Sequence, residues 1–174
     1  LAVAILSREL GSKVLTDKEE LDSCYLAGLV HDIGLLVYDY LVPEQFDQFL
    51  ATTDFNDPDQ PLEALEKNFF GISHSELGAA YLKEWWPVSP KIVEATQAHG
   101  GPGLEKDQTP NLARLVSTAN RIANKYGLDH PFETGLHQAA DENYLETLKM
   151  SKQEMDELVD WAQIGVLAAE SVLE

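Results

Sequence analysis

Apolar residues recur at helical spacing along almost the whole chain, and the residues between them mark where each helix starts and stops. Leu1, Val3, Ile5, Leu6 and Leu10 form one apolar face, with Gly11 read as the residue just past its end. Thr16 followed by Glu19 reads as a capping box opening a second segment, whose Leu21, Tyr25, Leu29 and Ile33 share one predicted inward face. Pro43 and Pro61 each stand at a first helical position, with Phe46, Phe49 and Leu50 inward in one helix and Leu62 and Leu65 in the next. Ser73 with Glu76 is another capping box, so His74 falls in the first turn of a helix that runs through Leu77, Tyr81 and Leu82 to Trp85 and Trp86, where Pro87 stops it. Ser89-Pro90 opens a helix ending near His99, Asn111 to Tyr126 forms another ahead of Gly127, and Ser151 with Glu154 opens the last, through Leu158, Trp161 and Leu167.

No alternating pattern of strand length intervenes. The stretches ATTDFNDPDQP and HGGPGLEKDQTP, rich in Pro, Gly and Asp, read as the main irregular loops. The pattern predicts one all-α domain over residues 1–174.

Composition narrows the function more than the fold. The chain carries 30 acidic against 12 basic residues, a formal charge of −18, which repels nucleic-acid phosphates and anionic membrane surfaces alike. Neither nucleic acid nor membrane is an expected partner, and no uninterrupted apolar run approaches the ~20 residues of a bilayer span. Cys24, the single cysteine, excludes an intrachain disulfide and a thiolate zinc cluster. It reads as a small buried hydrophobe in a reducing, cytoplasmic setting.

Candidate chemistry centres on YLAGLVHDIGLLVY, where His31 and Asp32 interrupt a run of Leu and Val. Two ionisable groups in such a run are either satisfied by local hydrogen bonds at the end of a core helix or held as metal ligands. His74 and His99 also fall at helix ends, where a side chain can reach a shared pocket without disturbing its own helix. The placements leave two readings open, one shared polar site or separate structural roles for each residue. His130 and His137, in the polar stretch GLDHPFETGLHQAAD, read as solvated surface residues.

AGLVHDIGLLV resembles the GLLHDIGKL core of HD-superfamily domains, in which adjacent His and Asp bind metal. LEKNFFGISHSELGAAYLKEWWPVSPKIVEATQAHGGPG resembles the pattern of the HDOD family, the HD-related output domains of bacterial signalling proteins. Glu66, Gly71, His74, Glu76, Gly78, Leu82, Trp86, Pro90, Ile92 and His99 fit it in order, and the resemblance covers about residues 1 to 126. It implies an all-α HD/HDOD-type helical bundle related to metal-dependent phosphohydrolases and, with the helix-end placements, that His31, Asp32, His74 and His99 converge on one polar pocket. The resemblance leaves the family's N-terminal half unmatched, so residues 1–174 are expected to be the C-terminal part of a longer signalling protein. Loss of that half is expected to expose apolar faces on the helices beginning at Leu1 and Tyr25, and hence to favour self-association.

Relative to the catalytic pattern of the HD-GYP phosphodiesterases, Leu35 replaces a lysine, Gly100 replaces a second histidine, Asn120 stands where the later aspartate is expected, and residues 1–15 contain no upstream histidine. Basic residues are scarce near the site histidines, with Lys67, Lys91 and Arg114 the candidates. The resemblance and its departures together imply a non-catalytic signalling or regulatory domain that meets a protein partner and retains a remnant site, with at most a weakly bound divalent metal such as manganese, iron or nickel. The alternative is a metal-dependent phosphohydrolase acting on a nucleotide or cyclic dinucleotide. Trp86 is expected in the core, and Trp85 partly exposed as a candidate partner contact.

Overall fold

A computed structural model describes residues 1–55, 60–100, 110–128 and 150–173. Those residues form helices and connecting turns without a strand. The helices are α1 (Ala2–Val14), α2 (Lys18–Val30), α3 (Ile33–Leu41), α4 (Pro43–Thr52), α5 (Leu62–Phe70), α6 (His74–Trp85), α7 (Pro90–Ala98), α8 (Leu112–Lys125) and α9 (Lys152–Leu173). His130 and His137 lie outside the described residues.

Helix α1 is the central element, packed against α2, α8 and α9. Leu6, Leu10, Leu82, Ile92, Leu112, Leu115, Val116 and Ile122 fill the main core around it. A second core is aromatic: Tyr38, Phe46, Phe49 and Leu62 pack with Leu35, Phe55 and Phe70 where α3, α4 and α5 meet. The Tyr38 and Phe70 rings stack at 4.3 Å, and Tyr38 Oη donates to the Ile72 carbonyl at 2.6 Å. Burial pushes the Tyr38 phenol well above its ordinary range.

Several start signals operate as the residues suggest. Ser73 and Glu76 form a reciprocal capping box, Ser89 accepts from the Lys91 N–H ahead of Pro90, Asn111 accepts from the Arg114 N–H, and Ser151 pairs with Glu154. Pro43 occupies a first-turn position, whereas Pro61 is the N-cap itself. Gly71, at φ 81°, closes α5 in the left-handed conformation that a side chain would strain.

The first two helices depart from expectation. Gly11 does not end α1; it lies buried inside that helix, and a Cβ there would meet Cys24 Sγ at 2.5 Å. Gly28 plays the same part from α2, where a Cβ would lie 2.7 Å from the Val3 carbonyl oxygen. The cap of α2 is Asp17, accepting from the Glu20 N–H at 3.0 Å, one residue beyond the expected Thr16–Glu19 box. The buried face of α2 is consequently Ser23, Cys24, Ala27, Gly28 and Val30, and Leu21, Tyr25 and Leu29 face solvent. Backbones this close leave room only for small side chains, so the large apolar residues are turned outward.

The apolar exposure expected on both early helices is therefore found on one of them. Helix α1 is covered, while Leu21, Tyr25 and Leu29 on α2 and Leu36, Tyr40 and Leu41 on α3 are exposed. Lys18–Leu41 also passes as a bilayer span by length and composition, with a mean hydropathy of 1.2, unlike the sequence expectation. Half of that stretch is buried within the fold, and His31 and Asp32 break it in the middle. Trp85 is 71% exposed; Trp86, expected in the core, is 38% exposed. On α9, Leu158 is buried but Trp161 and Leu167 are exposed. Leu50 and Leu65 are only partly buried against the aromatic core.

Cys24 is fully buried, its thiol donating to the Glu20 carbonyl at 3.2 Å. Burial and the nearby Glu20 charge push its pKa up to about 11. With so little thiolate at pH 8, Cys24 is expected to remain unreacted with an aromatic disulfide reagent in the folded chain and to titrate one thiol once urea unfolds it. Rapid labelling of the native chain would show the α1–α2 contact to be open.

Candidate metal centre

The site is built from helix ends. His31 caps the C-terminus of α2 and Asp32 occupies the N-cap of α3, so the pair lies in the two-residue break between helices rather than inside one. His74 is the first residue of α6 and His99 the C-cap of α7. What brings the first pair to the second is the crossing of α3 over α6. A Cβ on Gly34 would overlap the His74 carbonyl oxygen, and one on Gly78 would lie 2.9 Å from the Gly34 nitrogen. Backbone touches backbone there, which sets Asp32, two residues ahead of Gly34, against the first turn of α6.

All four predicted residues converge. Asp32 Oδ2 lies 2.9 Å from His31 Nε2, and Asp32 Oδ1 lies 3.0 Å from His99 Nε2 and 3.6 Å from His74 Nε2. The Nε2 atoms of His74 and His99 are 3.2 Å apart. His31, His74 and His99 are 6%, 1% and 2% exposed.

The other ring nitrogens fix the tautomers. His31 Nδ1 lies 2.9 Å from the Gly28 carbonyl and His99 Nδ1 lies 2.7 Å from the Thr96 carbonyl. A carbonyl oxygen only accepts, so each Nδ1 carries the proton and each Nε2 presents its lone pair to the cluster. The same bonds occupy carbonyls that the helix C-termini would leave unpaired. His74 Nδ1 donates to Glu66 Oε2 at 2.6 Å, which turns its Nε2 inward as well.

Three inward imidazole nitrogens need something positive between them. His31 Nε2 approaches Asp32 without hydrogen-bond geometry and has no hydrogen-bond partner among the described residues. Burial disfavours a charge on His74, but the hydrogen bond and charge of Glu66, with the charge of Asp32, outweigh it and hold the His74 pKa above its ordinary value; His99 opposes them. A proton on His74 is one way to supply the positive charge. A metal ion is another. Ligand bonds of about 2.1 Å place neighbouring donors roughly 3.0–3.4 Å apart, close to the separations found here. The donor atoms of His31, Asp32 and His99 lie within 4.8 Å of one another, while His74 stands outside that group with its Nε2 near His99 Nε2 and Asp32 Oδ1. His31, Asp32 and His99 fit one divalent cation held by nitrogen and carboxylate.

The model of the HDOD domain matches residues 1–102. The chain belongs to the HDOD family. Comparison of this HDOD chain with curated proteins finds no match. Among solved structures, a "Putative phosphohydrolase" from Shewanella amazonensis SB2B superposes with a TM-score of 0.56 at 21% identity, over 91% of this chain and 60% of that one. The HDOD chain thus spans about three-fifths of the length of that protein, and at this identity the likeness concerns the fold.

The remaining candidates lie as follows. Asn120 is buried on α8, which packs against α1, α2 and α7. Leu35, where the phosphodiesterases carry lysine, packs into the aromatic core. Lys67 pairs with Glu76 at 3.0 Å, Lys91 pairs with Asp17 at 3.1 Å, and Arg114 is buried on α8. Sequence reasoning matched Glu66 to the family pattern without giving it a role, yet it is fully buried against His74. The signal was present: Glu66 stands one turn after Leu62 on the inward face of α5, where an acidic residue calls for a partner.

Proposed function

We propose that this HDOD chain is a regulatory module of a signalling protein that meets a protein partner, and that its His31–Asp32–His74–His99 cluster has a structural rather than a hydrolytic use. The observation that carries this reading is the charge around the cluster. Asp32 and Glu66 place two carboxylates at a buried point, and Lys67 and Lys91 are committed to Glu76 and to Asp17 and Glu20. A phosphate ester brought to such a point meets repulsion from both carboxylates, and among the described residues Lys67 and Lys91 are turned to other carboxylates rather than left to hold developing charge. Any cation it binds is held weakly, with manganese, iron or nickel the candidates. The exposed Trp85 offers a partner an anchor of the kind that dominates interface energetics. The outward apolar residues of α2 and α3 offer a larger face for a partner or a second copy.

A metal-dependent phosphohydrolase is the second reading. It is favoured by the inward lone pairs of three histidines, which suit a cation that lowers the pKa of bound water, and by the description of the Shewanella amazonensis protein. The test is metal analysis after purification without chelators, with turnover assays on cyclic dinucleotides and nucleoside phosphates in added manganese, iron or nickel. No turnover is expected. Stoichiometric metal together with turnover abolished by His31→Ala would establish the enzyme.

A further inference from the structure

Glu66 is a fully buried carboxylate whose Oε2 accepts both the backbone N–H of His74, at 2.8 Å, and its ring Nδ1–H, at 2.6 Å. We infer that Glu66 is a positioning residue for a bound cation: it fixes His74 as the fourth donor beside His31, Asp32 and His99. The inference rests on the reading of that cluster as a cation site. Gripping main chain and ring with one oxygen removes the rotamer freedom of His74 and dictates its tautomer. The Nε2 lone pair is left facing His99 Nε2 and Asp32 Oδ1.

Helix capping alone does not account for a buried carboxylate here. The Ser73–Glu76 box pairs the Ser73 and Glu76 N–H groups and leaves the His74 N–H to Glu66, whose bond to the His74 ring lies outside any capping role. His31 and His99 also differ from His74 in the partner of Nδ1, which for them is a neutral backbone carbonyl. An anionic acceptor pushes electron density through the imidazole and strengthens the opposite nitrogen as a ligand, as in carboxylate–histidine–metal triads. Glu66 thereby makes the set three imidazoles and one carboxylate, a chemistry suited to zinc, iron or nickel over magnesium or calcium.

The experiment is competitive zinc titration of the chain and of Glu66→Gln, with cobalt absorption reporting the ligand set. Gln keeps the size and an oxygen acceptor but removes the charge. The variant is expected to fold and to bind zinc about 10–100-fold more weakly, with a changed cobalt spectrum. Equal affinity and an identical spectrum would overturn the role of Glu66 while leaving the cation site intact. No zinc uptake by the unsubstituted chain would overturn the cation reading itself, and this inference with it. Should Glu66→Gln not fold, imidazole nitrogen NMR of the unsubstituted chain decides: zinc shifting His74 Nε2 while Nδ1 keeps its proton supports the inference, and an unmoved His74 Nε2 overturns it.

Discussion

Gly34→Ala is expected to destabilise the chain by about 3 kcal/mol, lowering the thermal midpoint by roughly 6–12 °C. The added methyl overlaps the His74 carbonyl oxygen and lies 2.7 Å from its carbonyl carbon, and both belong to backbone rather than to a side chain that can swing aside. Relief requires α3 and α6 to move apart. That displacement also carries Asp32 away from His74 and His99, so the variant should lose metal-dependent behaviour before it loses its helical circular dichroism. Two-state melts with and without added metal measure both effects. A variant as stable as the parent would mean that α3 and α6 do not cross as closely as described.

A divalent metal should raise the thermal midpoint, and Asp32→Asn should remove the rise. The donors are at positions 31, 32, 74 and 99, so the unfolded chain holds His74 and His99 far from the adjacent His31–Asp32 pair and the folded chain presents them together. A cation that binds the folded state alone, at 100 times its dissociation constant, stabilises by about 2.7 kcal/mol, or roughly 5–11 °C for a chain of this size. Asp32 approaches all three imidazoles and is the one carboxylate among the four donors, so the amide removes the anionic ligand with little change in shape. Differential scanning calorimetry across a manganese or nickel series, read against a magnesium control, tests it. A midpoint indifferent to metal would leave a proton on His74 as the positive charge in the cluster.

Legibility in the sequence followed the range of the interaction. The starts of α6 and α9 were readable because a capping box joins residues three apart, Ser73 with Glu76 and Ser151 with Glu154, and that of α7 because Pro90 directly follows Ser89. The orientation of α2 was not readable. Which side of it faces inward depends on how closely α1 approaches, and that depends on Gly11 meeting Cys24 and Gly28 meeting Val3. Hydrophobic periodicity weights large residues, whereas this interface selects small ones, so the pattern pointed to Leu21, Tyr25 and Leu29 and the fold buried Cys24 and Ala27 instead.

The site divides in the same way. Histidines at helix ends, together with the family resemblance, indicated that His31, Asp32, His74 and His99 meet. That a new helix restarts straight after Asp32 did not show, because the apolar pattern resumes on both sides of the pair. Nor did the partner of His74, because Glu66 sits on a different helix and only the packing of α5 onto α6 brings the two together.

The outward leucines and tyrosines of α2 and α3 have a consequence for how the chain behaves in solution. A surface with this much exposed hydrocarbon favours association, and mutual repulsion between molecules each carrying a charge of −18 opposes it. That repulsion acts over about 10 Å at 0.1 M salt and fades as carboxylates take up protons. Salt and mild acid weaken that opposition, so the tendency of the hydrocarbon face to drive assembly is expected to rise as the charge on each molecule is screened or neutralised.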